Sequence, residues 1–344
     1  MHYYTALDVS LRSVSICIID EKGNICFEGT ALSEVDDIID CIRRFHPDID
    51  SVGFEAGTLT QYLTYGFQAA DFEVICLEAR QVSAALSAMR NKTDKNDARG
   101  IAQILRTGWY SRVHVKSFDS HLIRALLTSR KAVLRKCVDL ENELRGLIRL
   151  IGLKLPGTLK HGIFDQTVRD VVEGHPALAA ALIPLLDARL VLYKTYLKLD
   201  NQAKGETRKD PICQRLMSVP GVGAITALTF KAAVDDPTRF KSSRTVAAHF
   251  GLTPRRFQSG EKDNNGRISK AGDPDVRAAL YIAAHSLVIR SSEWSSLRVW
   301  GLKLSKTKGH RRAVTAVARK LAVILHKMWI NGTDFHFGAV EPTK

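Results

Sequence analysis

The stretch YTALDVSLRSVSICIIDEKGNICFEGTA, residues 4–31, decides the fold of the first part of the chain. Residues 4–10 and 14–20 are short strand-like runs, and the polar EKGN at 21–24 is typical of a hairpin turn before a third run at 25–31. The pattern predicts a three-stranded meander. Asp8 interrupts the apolar first strand, where an unpaired carboxylate is costly to bury.

The rest of the first hundred residues alternates between helical and strand patterns. It predicts a helix from Ser33, a strand at 51–55, a helix at 58–70 and a strand at 73–77. This order is that of a ribonuclease H-like domain, although periodicity alone leaves other α/β orders open. Glu55 ends the fourth strand.

A further helix is predicted after residue 94, and two acids begin it. Asp94 and Asp97 are three residues apart, which puts both carboxylates on one helix face. Together with Asp8 and Glu55 they make four carboxylates, which repel one another when they converge. Two Mg²⁺ ions about 3.5–4 Å apart would neutralise them and act on a phosphoryl group. The alternative is four separate structural acids, such as Asp94 as a helix cap.

Charge is unevenly distributed along the 344 residues, which carry 50 Lys and Arg, 36 Asp and Glu, and a net charge of +14. The basic and acidic counts are 11 and 16 in residues 1–115, 17 and 11 in 116–210, and 22 and 9 in 211–344. A basic body favours a nucleic-acid partner, and an acidic first part suits a metal site.

Cysteine spacing and the N-terminus bear on location. The six cysteines form no CxxC pair or zinc-type cluster, and the sequence shows no secretory signal and no uncharged apolar window of 18 residues. We therefore expect a reduced, soluble, intracellular protein without a membrane partner.

The middle of the chain is helical. Residues 118–150 and 185–205 have the pattern of long amphipathic helices, and 158–183 of a weaker helical stretch. The pattern suits an antiparallel or intermolecular coiled coil. It suits a helical linker packed within one chain equally well.

The last third carries three basic or glycine-containing signals. Pro220-Gly221-Val222-Gly223 before a helix of small residues is typical of a helix-hairpin-helix, in which Gly221 and Gly223 let the backbone approach a phosphate. The alternative is a plain turn between helices. The basic run after residue 303 includes Lys306, Lys308, Arg311 and Arg312, which suit phosphate contacts or a solvated helix face.

The third signal is the segment 250–284, which is predicted as a polar loop followed by a helix from about Pro274. A serine in such a loop could attack a phosphodiester. The residues themselves do not select Ser259 over Ser269 or Thr253. The cations beside these serines, which would stabilise the developing charge, are Arg255, Arg256, Arg267 and Lys270.

Four motifs together carry a family resemblance. RNKTDKNDAR at 90–99, SVPGVGAITA at 218–227, FGLTPRRFQSG at 250–260 and GRISKAGDPDVRAALY at 266–281 resemble, in order, motifs of the DEDD transposases of the IS110 type, also called bridge-RNA-guided recombinases. Many members have Lys three residues after the first Asp, where this chain has Leu11.

The resemblance implies an α/β plus α fold in three parts. These are a RuvC-like (ribonuclease H-like) catalytic domain at 1–115, a coiled-coil segment used in assembly at 116–208, and a mostly helical C-terminal transposase domain at 209–335 with a helix-hairpin-helix. It implies that Asp8, Glu55, Asp94 and Asp97 bind Mg²⁺ and that Ser259 is the nucleophile. Strands would be cleaved and exchanged through a covalent phosphoserine intermediate.

The resemblance also implies partners: donor and target DNA, a noncoding bridge RNA that pairs with both, and other copies of the chain in a dimer or tetramer. It implies a cytoplasmic protein associated with the prokaryotic nucleoid. Two other functions stay open. A RuvC-like Holliday-junction nuclease that activates water would need the four acids and not Ser259. A non-catalytic DNA-binding module would rest on the helix-hairpin-helix and the net charge, and it leaves the four acids unexplained.

Overall fold

The computed structural model describes residues 2–46, 48–87, 91–259 and 262–338, with the side chains of 256–265 outside that description. The chain forms two compact units, residues 1–116 and 117–344, which are described separately.

The N-terminal unit is a mixed α/β domain around one sheet. Its described elements are β1 (Tyr4–Val9), β2 (Ser13–Ile19), β3 (Ile25–Leu32), α1 (Val35–Phe45), β4 (Ser51–Glu55), α2 (Thr60–Ala69), β5 (Glu73–Leu77), α3 (Ala79–Leu86) and α4 (Asp94–Thr107). The strand order is β3-β2-β1-β4-β5. The first three strands are antiparallel neighbours, and β4 and β5 run parallel to β1. The predicted meander and the helix–strand–helix–strand order after it are confirmed.

Two local details differ from the sequence pattern. Helix α1 begins at Val35 with Glu34 as its N-cap residue, because the Ser33 hydroxyl donates instead to the carbonyl of Ser10 at 2.9 Å. Helix α3 was not predicted. Its alanine, serine and glutamine residues bury one side chain deeply, that of Val82, so they carry little apolar periodicity.

The sheet has an apolar layer on each face. Leu7, Val52 and Phe54 pack on one side in a cluster that also includes residues of α1 and α2. Ala6 lies on the other side with Leu105 and other residues of α4. Successive residues of a strand point to opposite faces of the sheet, so the residue after Leu7 in β1 and the residue after Phe54 in β4 point to the face covered by α4.

The C-terminal unit is mostly helical. Its described elements are α5 (Phe118–Leu150), α6 (Phe164–Val172), α7 (Pro176–Lys209), α8 (Pro211–Met217), α9 (Ala224–Val234), a short 3₁₀ turn (Pro237–Arg239), α10 (Ser243–His249), β6 (Pro254–Ser259), β7 (Lys262–Ile268), α11 (Pro274–Ile289), α12 (Ser296–Lys308) and α13 (His310–Asn331). Apolar residues of α8 to α13 form its main core, together with residues of the connecting loops.

The two long helices of this unit, α5 and α7, pack against each other in one chain. Arg130 of α5 contacts Asp200 of α7, and Glu141 contacts Arg189, so the helices run antiparallel. Helix α7 begins at Pro176, nine residues before the predicted start at 185, and continues through Pro184. The alanines at 177 and 179–181 favour helix strongly enough to extend it there.

Helix α7 is also long and apolar enough, by length and composition alone, to cross a membrane, and it is the single such helix in the described residues. The core helix of a soluble protein can pass the same test. Here the helix packs along α5 and carries Arg189 at full burial.

The segment 254–268 was predicted as a polar loop, and this prediction is wrong. Strands β6 and β7 pair as an antiparallel hairpin with Pro254 opposite Ile268 and Ser259 opposite Lys262. Each strand of this two-stranded sheet has the other as its only partner in the described structure. The two strands, PRRFQS and KDNNGRI, are mostly polar, so they lack the alternating apolar pattern by which strands are recognised in a sequence.

Candidate functional site

Asp8 and Glu55 lie side by side at the carboxyl ends of two neighbouring parallel strands. Strands β1 and β4 pair with Leu7 opposite Phe54, so the next residues of both strands are Asp8 and Glu55. Since Leu7 and Phe54 point to the α1–α2 face, alternation turns both acids to the α4 face.

Helix α4 brings the other two acids to the same place. Its buried residues Ala98, Ile101, Ala102 and Leu105 pack on the sheet, as the periodicity predicted. Gly53 makes this possible, because a Cβ atom there would lie 2.5 Å from the Leu105 side chain. Asp94 and Asp97 fall in the first turn of α4, and the cap is the hydroxyl of Thr93, which accepts from the Asn96 backbone N–H. Asp94 is therefore not needed as the cap.

The pKa of Asp8 shows that the four carboxylates act on one another. Burial raises it first, and the negative charges of Asp97, Asp94 and Glu55 raise it further, from an ordinary 3.8 to about 6. The pKa of Glu55 is also raised, by burial and then by acids that include Asp97. Within the described residues, none of the four carboxylates accepts a hydrogen bond from a side chain or forms an ion pair.

This donor set fits a hard divalent cation. It consists of carboxylate oxygens alone, the ligands that Mg²⁺ prefers, and its unbalanced negative charge is what a dication would neutralise. Burial and then the neighbouring acids raise the pKa of Asp8, so its charged form is unfavourable without a compensating cation.

Two further charged residues at this site escaped the sequence analysis. Glu78, the N-cap of α3, raises the pKa of Glu55, and Lys92 lowers the pKa values of both Asp8 and Glu55. Glu78 follows the end of β5, a strand parallel to β4, so its position at a strand's carboxyl end was the available signal. Lys92 stands two residues before Asp94 in the motif already singled out.

A small cleft of about 160 Å³ opens beside Glu55. The β1–β2 turn lines one side with Ser10 and Leu11, and the loop after β4 lines the other with Gly57 and Thr58. The Leu11 side chain is 71% exposed. The cleft therefore offers an apolar side chain beside the acids.

A second charged cluster lies between α5, α6 and α7, and the sequence analysis did not foresee it. The Arg189 guanidinium is fully buried and binds Glu141, Asp165 and the carbonyl of His161. It also lies over the rings of Phe164 and Tyr193, at 5.0 and 4.8 Å from their centroids. His161 Nδ1 is 2.7 Å from Glu141 Oε1.

This second cluster has the tighter metal-ligand geometry. In the described part of the chain, Cys137, Glu141 and His161 form the one trio of such ligands whose atoms all lie within 4.8 Å of one another. However, Arg189 already donates from Nε to Glu141 Oε1 at 2.9 Å, so the carboxylate that would bind a metal has a cation on it.

The predicted helix-hairpin-helix corresponds to α8, a turn and α9. Gly221 has φ +89°, and a Cβ atom there would lie 2.6 Å from the carbonyl oxygen of Ala283 in α11, so this glycine serves packing. Gly223 faces open space, and no side chain caps α9 behind it. The free N–H groups of α9 border a groove with Thr226, His285 and Arg290.

Ser259 ends strand β6, and its side chain and that of Arg256 lie outside the described part of the structure. Arg255 is exposed and donates to the carbonyl of Ser269 at 3.3 Å. Ser269 in turn accepts from the backbone N–H of Ala271 at 3.4 Å, so it supports the loop before α11.

The remaining predicted phosphate contacts are exposed cations: Arg267 in β7, Lys270 before α11, Lys306 and Lys308 at the end of α12, and Arg311 and Arg312 at the start of α13. Lys270 has a positive φ of 56°, which fixes the direction of the chain there. No single helix or strand in the described structure contains all of these cations, but β7 and the start of α13 border one groove.

Family models match both halves of the chain. The model for DEDD transposases of the IS110 type matches residues 5–152, and the model described as "Transposase IS116/IS110/IS902 family" matches residues 213–299. The first match contains all four acids, and the second contains the turn before α9, the hairpin and α11.

Curated relatives point the same way. The chain is 30% identical over 258 residues, 72% of its length and 70% of the relative's, to the transposase for insertion sequence element IS1111A of Coxiella burnetii. It is 28% identical over 246 residues, 71% of its length and 74% of the relative's, to the transposase for IS1328 of Yersinia enterocolitica. It is also 27% identical over 111 residues, 32% of its length and 34% of the relative's, to the pilin gene-inverting protein of Moraxella bovis.

Proposed function

Because the chain belongs to the IS110-type DEDD transposases, we propose that it recombines the DNA of an insertion sequence by Mg²⁺-dependent strand cleavage and exchange, guided by a noncoding bridge RNA. In this proposal the N-terminal unit is a RuvC-like nuclease domain, and the chain acts in the cytoplasm as a dimer or tetramer whose assembly uses α5 and α7. The observation that carries the proposal is the convergence of Asp8, Glu55, Asp94 and Asp97 on one face of the sheet.

The reaction that we propose uses Ser259 as the nucleophile. When bound to the four carboxylates, Mg²⁺ would stabilise the negative charge that develops on the phosphodiester during the attack. The Ser259 oxygen forms a bond to phosphorus, the bond to the 3′ oxygen breaks, and the proton lost by the serine is balanced by the proton that the 3′ oxygen gains. A 3′ hydroxyl of the exchanging strand then attacks the phosphoserine and releases the serine, so no high-energy cofactor is consumed.

The basic residues would hold the nucleic acids. Gly223 leaves the uncapped start of α9 open to a phosphate. Arg255 and Arg256 belong to strand β6, which ends at Ser259, and Lys270 follows strand β7. Lys306 and Lys308 add cations at the end of α12. Gly221 has a packing role, so its contribution to phosphate binding is to fix the turn.

The metal site is tested by Asp97→Asn. This change should abolish cleavage of a DNA substrate in Mg²⁺ while DNA binding stays at the wild-type level or rises, because a negative charge is lost. Asp40→Asn, which removes an equal charge from an exposed residue of α1, is the matched control and should cleave normally. Cleavage by Asp97→Asn at the wild-type rate would remove this acid from the site.

The nucleophile is tested by trapping protein–DNA adducts. Ser259→Ala should lose both the covalent adduct and recombination, and Ser269→Ala should keep the adduct. A Holliday-junction nuclease that activates water would still cut DNA as Ser259→Ala and would form no adduct in any variant. A binding module would neither cut nor form an adduct.

Guidance by RNA is tested with the noncoding RNA transcribed from DNA that flanks the gene. Recombination should require this RNA, and changes in its DNA-pairing loops should redirect the target. Recombination at one fixed site without RNA would contradict this part of the proposal and leave the metal site untouched.

A further inference from the structure

A basic groove runs between the base of the β6–β7 hairpin and helix α13. Pro254 and Ile268 form its hairpin side, with Arg267 beside them. Arg311, Arg312 and Arg319 line the α13 side, and the groove has a volume of about 910 Å³. Arg319 belongs to the basic run at 303–320 that was predicted to contact nucleic acid, but the sequence alone does not show which way its side chain faces.

The four arginines of this groove lack protein partners among the described residues. None of their guanidinium groups has an ion pair, a hydrogen bond or an aromatic ring there. Other arginines of the same unit are paired: Arg124 binds Asp273 and Arg130 binds Asp200. Like charges gathered without counter-charges repel one another, and a polyanion would remove this cost.

The spacing suits a chain of phosphates. Arg311 and Arg319 are eight residues apart on α13, which is about 12 Å along the helix axis. Thr315 lies between them on the same face, and its hydroxyl donates to the backbone carbonyl of Arg311 at 2.9 Å, so the arginines are the donors along this stripe. Guanidinium groups bind phosphate through two parallel hydrogen bonds, so this stripe would follow a nucleic-acid backbone and not one isolated anion.

We propose that this arginine groove binds the sugar–phosphate backbone of DNA and that Arg319 is one of its contacts; the inference rests on the proposed function. We favour DNA over RNA as the ligand because strand β6 leads from the groove to Ser259, the residue that we propose attacks DNA. From Pro254 at the groove to Ser259 at the end of β6 are five residue steps, about 17 Å. A strand held in the groove therefore has its neighbouring nucleotides within reach of the proposed nucleophile.

The chain contains a matched control next to Arg319. The Lys320 ammonium group lies over the Trp300 ring, 4.0 Å from its centroid, and so is held away from the groove by α12. Arg319→Gln and Lys320→Gln remove the same charge from adjacent positions of one helix. A difference in DNA affinity between the two variants would therefore come from the groove and not from the net charge of the protein.

The experiment measures binding of the full chain to a fluorescent 30-base-pair DNA duplex, and to an RNA hairpin of similar length, at several salt concentrations. Arg319→Gln should weaken DNA binding about three- to tenfold at 100 mM salt and reduce the slope of log affinity against log salt by about 1. Lys320→Gln should change DNA affinity less than about twofold and leave the slope unchanged. Thermal unfolding checks that both variants fold.

Each other outcome overturns the inference in a distinct way. If the two variants changed the DNA affinity equally, the net charge of the protein, and not the groove, would determine DNA binding. A loss confined to the RNA hairpin would assign the groove to RNA. Wild-type protein that does not bind DNA at all would overturn the proposed function together with the groove.

Discussion

The four acids at the end of the sheet and the cluster around Arg189 contain similar side chains but differ in charge balance. In the Arg189 cluster, the guanidinium group binds both Glu141 and Asp165, so two carboxylates share a buried cation. At the sheet, the exposed Lys92 lowers the pKa values of Asp8 and Glu55, but burial and the neighbouring acids outweigh it and raise both. The tightly packed cluster is therefore the structural one.

This comparison teaches that proximity of ligand atoms is a poor guide to a metal site. Cys137, Glu141 and His161 place their ligand atoms within 4.8 Å of one another, yet the carboxylate of this trio already binds Arg189. Carboxylates that await a cation repel one another and spread apart until it binds. Uncompensated charge is therefore the feature on which we base the proposed metal site, and the short distances belong to a cluster whose carboxylates already share a cation.

The largest expected effect is on the Arg189 cluster. Arg189→Ala would leave Glu141 and Asp165 buried without their cation, which should cost about 3–5 kcal/mol in the C-terminal unit. Hydrogen exchange in α6 and the first half of α7 measures this loss, since these segments contain the residues packed around Arg189.

Arg169→Ala is the control for that change. Its partner Asp187 is exposed, and a surface pair of this kind contributes less than about 1 kcal/mol. If both variants lost the same protection, the cluster around Arg189 would have no special role in stability.

The acid cluster should respond in the opposite direction. Asp8 has a pKa of about 6 in the folded chain and about 3.8 when unfolded, so the folded state binds the extra proton between these values. Without metal, the contribution of Asp8 to stability therefore falls as pH rises from about 4 to about 6. Asp8→Asn removes this cost and should stabilise the metal-free N-terminal unit by about 1–2 kcal/mol at pH 7, after allowance for partial exposure.

Urea unfolding in EDTA at two pH values checks this prediction. The gain from Asp8→Asn should be present at pH 7 and should fall to about a third at pH 4.5, where Asp8 is mostly protonated in the folded chain but not in the unfolded chain. Asp40→Asn should give no such pH-dependent gain. Destabilisation by Asp8→Asn at pH 7 would mean that the carboxylate has a stabilising partner in the protein, and the comparison between the clusters would fail.

The sequence was sufficient to predict the acid cluster because its signal is local. An acid inside an apolar strand, an acid at a strand end and two acids on one helix face are each visible in a few residues, and β-strand alternation then fixes the face. The meander and the strands at 51–55 and 73–77 were predicted for the same reason: each has its own apolar run.

The Arg189 cluster could not be predicted because its partners are 24 to 48 residues away in the chain. In the sequence, Arg189 is one more charged residue of an amphipathic helix. The β6–β7 hairpin was not predicted for a different reason: the sequences of its strands do not alternate between apolar and polar residues. The packing role of Gly221 depends on α11, some sixty residues later, which no local pattern shows.

Mg²⁺ should act on one cluster alone. At ten times its dissociation constant, Mg²⁺ should stabilise the N-terminal unit by about 1.4 kcal/mol, and Asp94→Asn should remove most of this effect. Because Asp8 must lose its proton to bind the cation, Mg²⁺ affinity should fall about tenfold per pH unit below its pKa of about 6. Calorimetric titration between pH 5 and 8 measures this, and an affinity that does not vary with pH would take Asp8 out of the metal site.

The smallest expected effect is that of Zn²⁺ on the Arg189 cluster, where its three ligand atoms are closest. Zinc binds thiolate, and burial raises the pKa of Cys137, so the thiol form is favoured. The ion would also have to displace Arg189, which would then be left buried without Glu141. Zn²⁺ should therefore change hydrogen exchange in α6 equally in wild-type protein and in Cys137→Ala. Protection by Zn²⁺ that Cys137→Ala abolishes would make this cluster a metal site, and charge balance would no longer separate the two clusters.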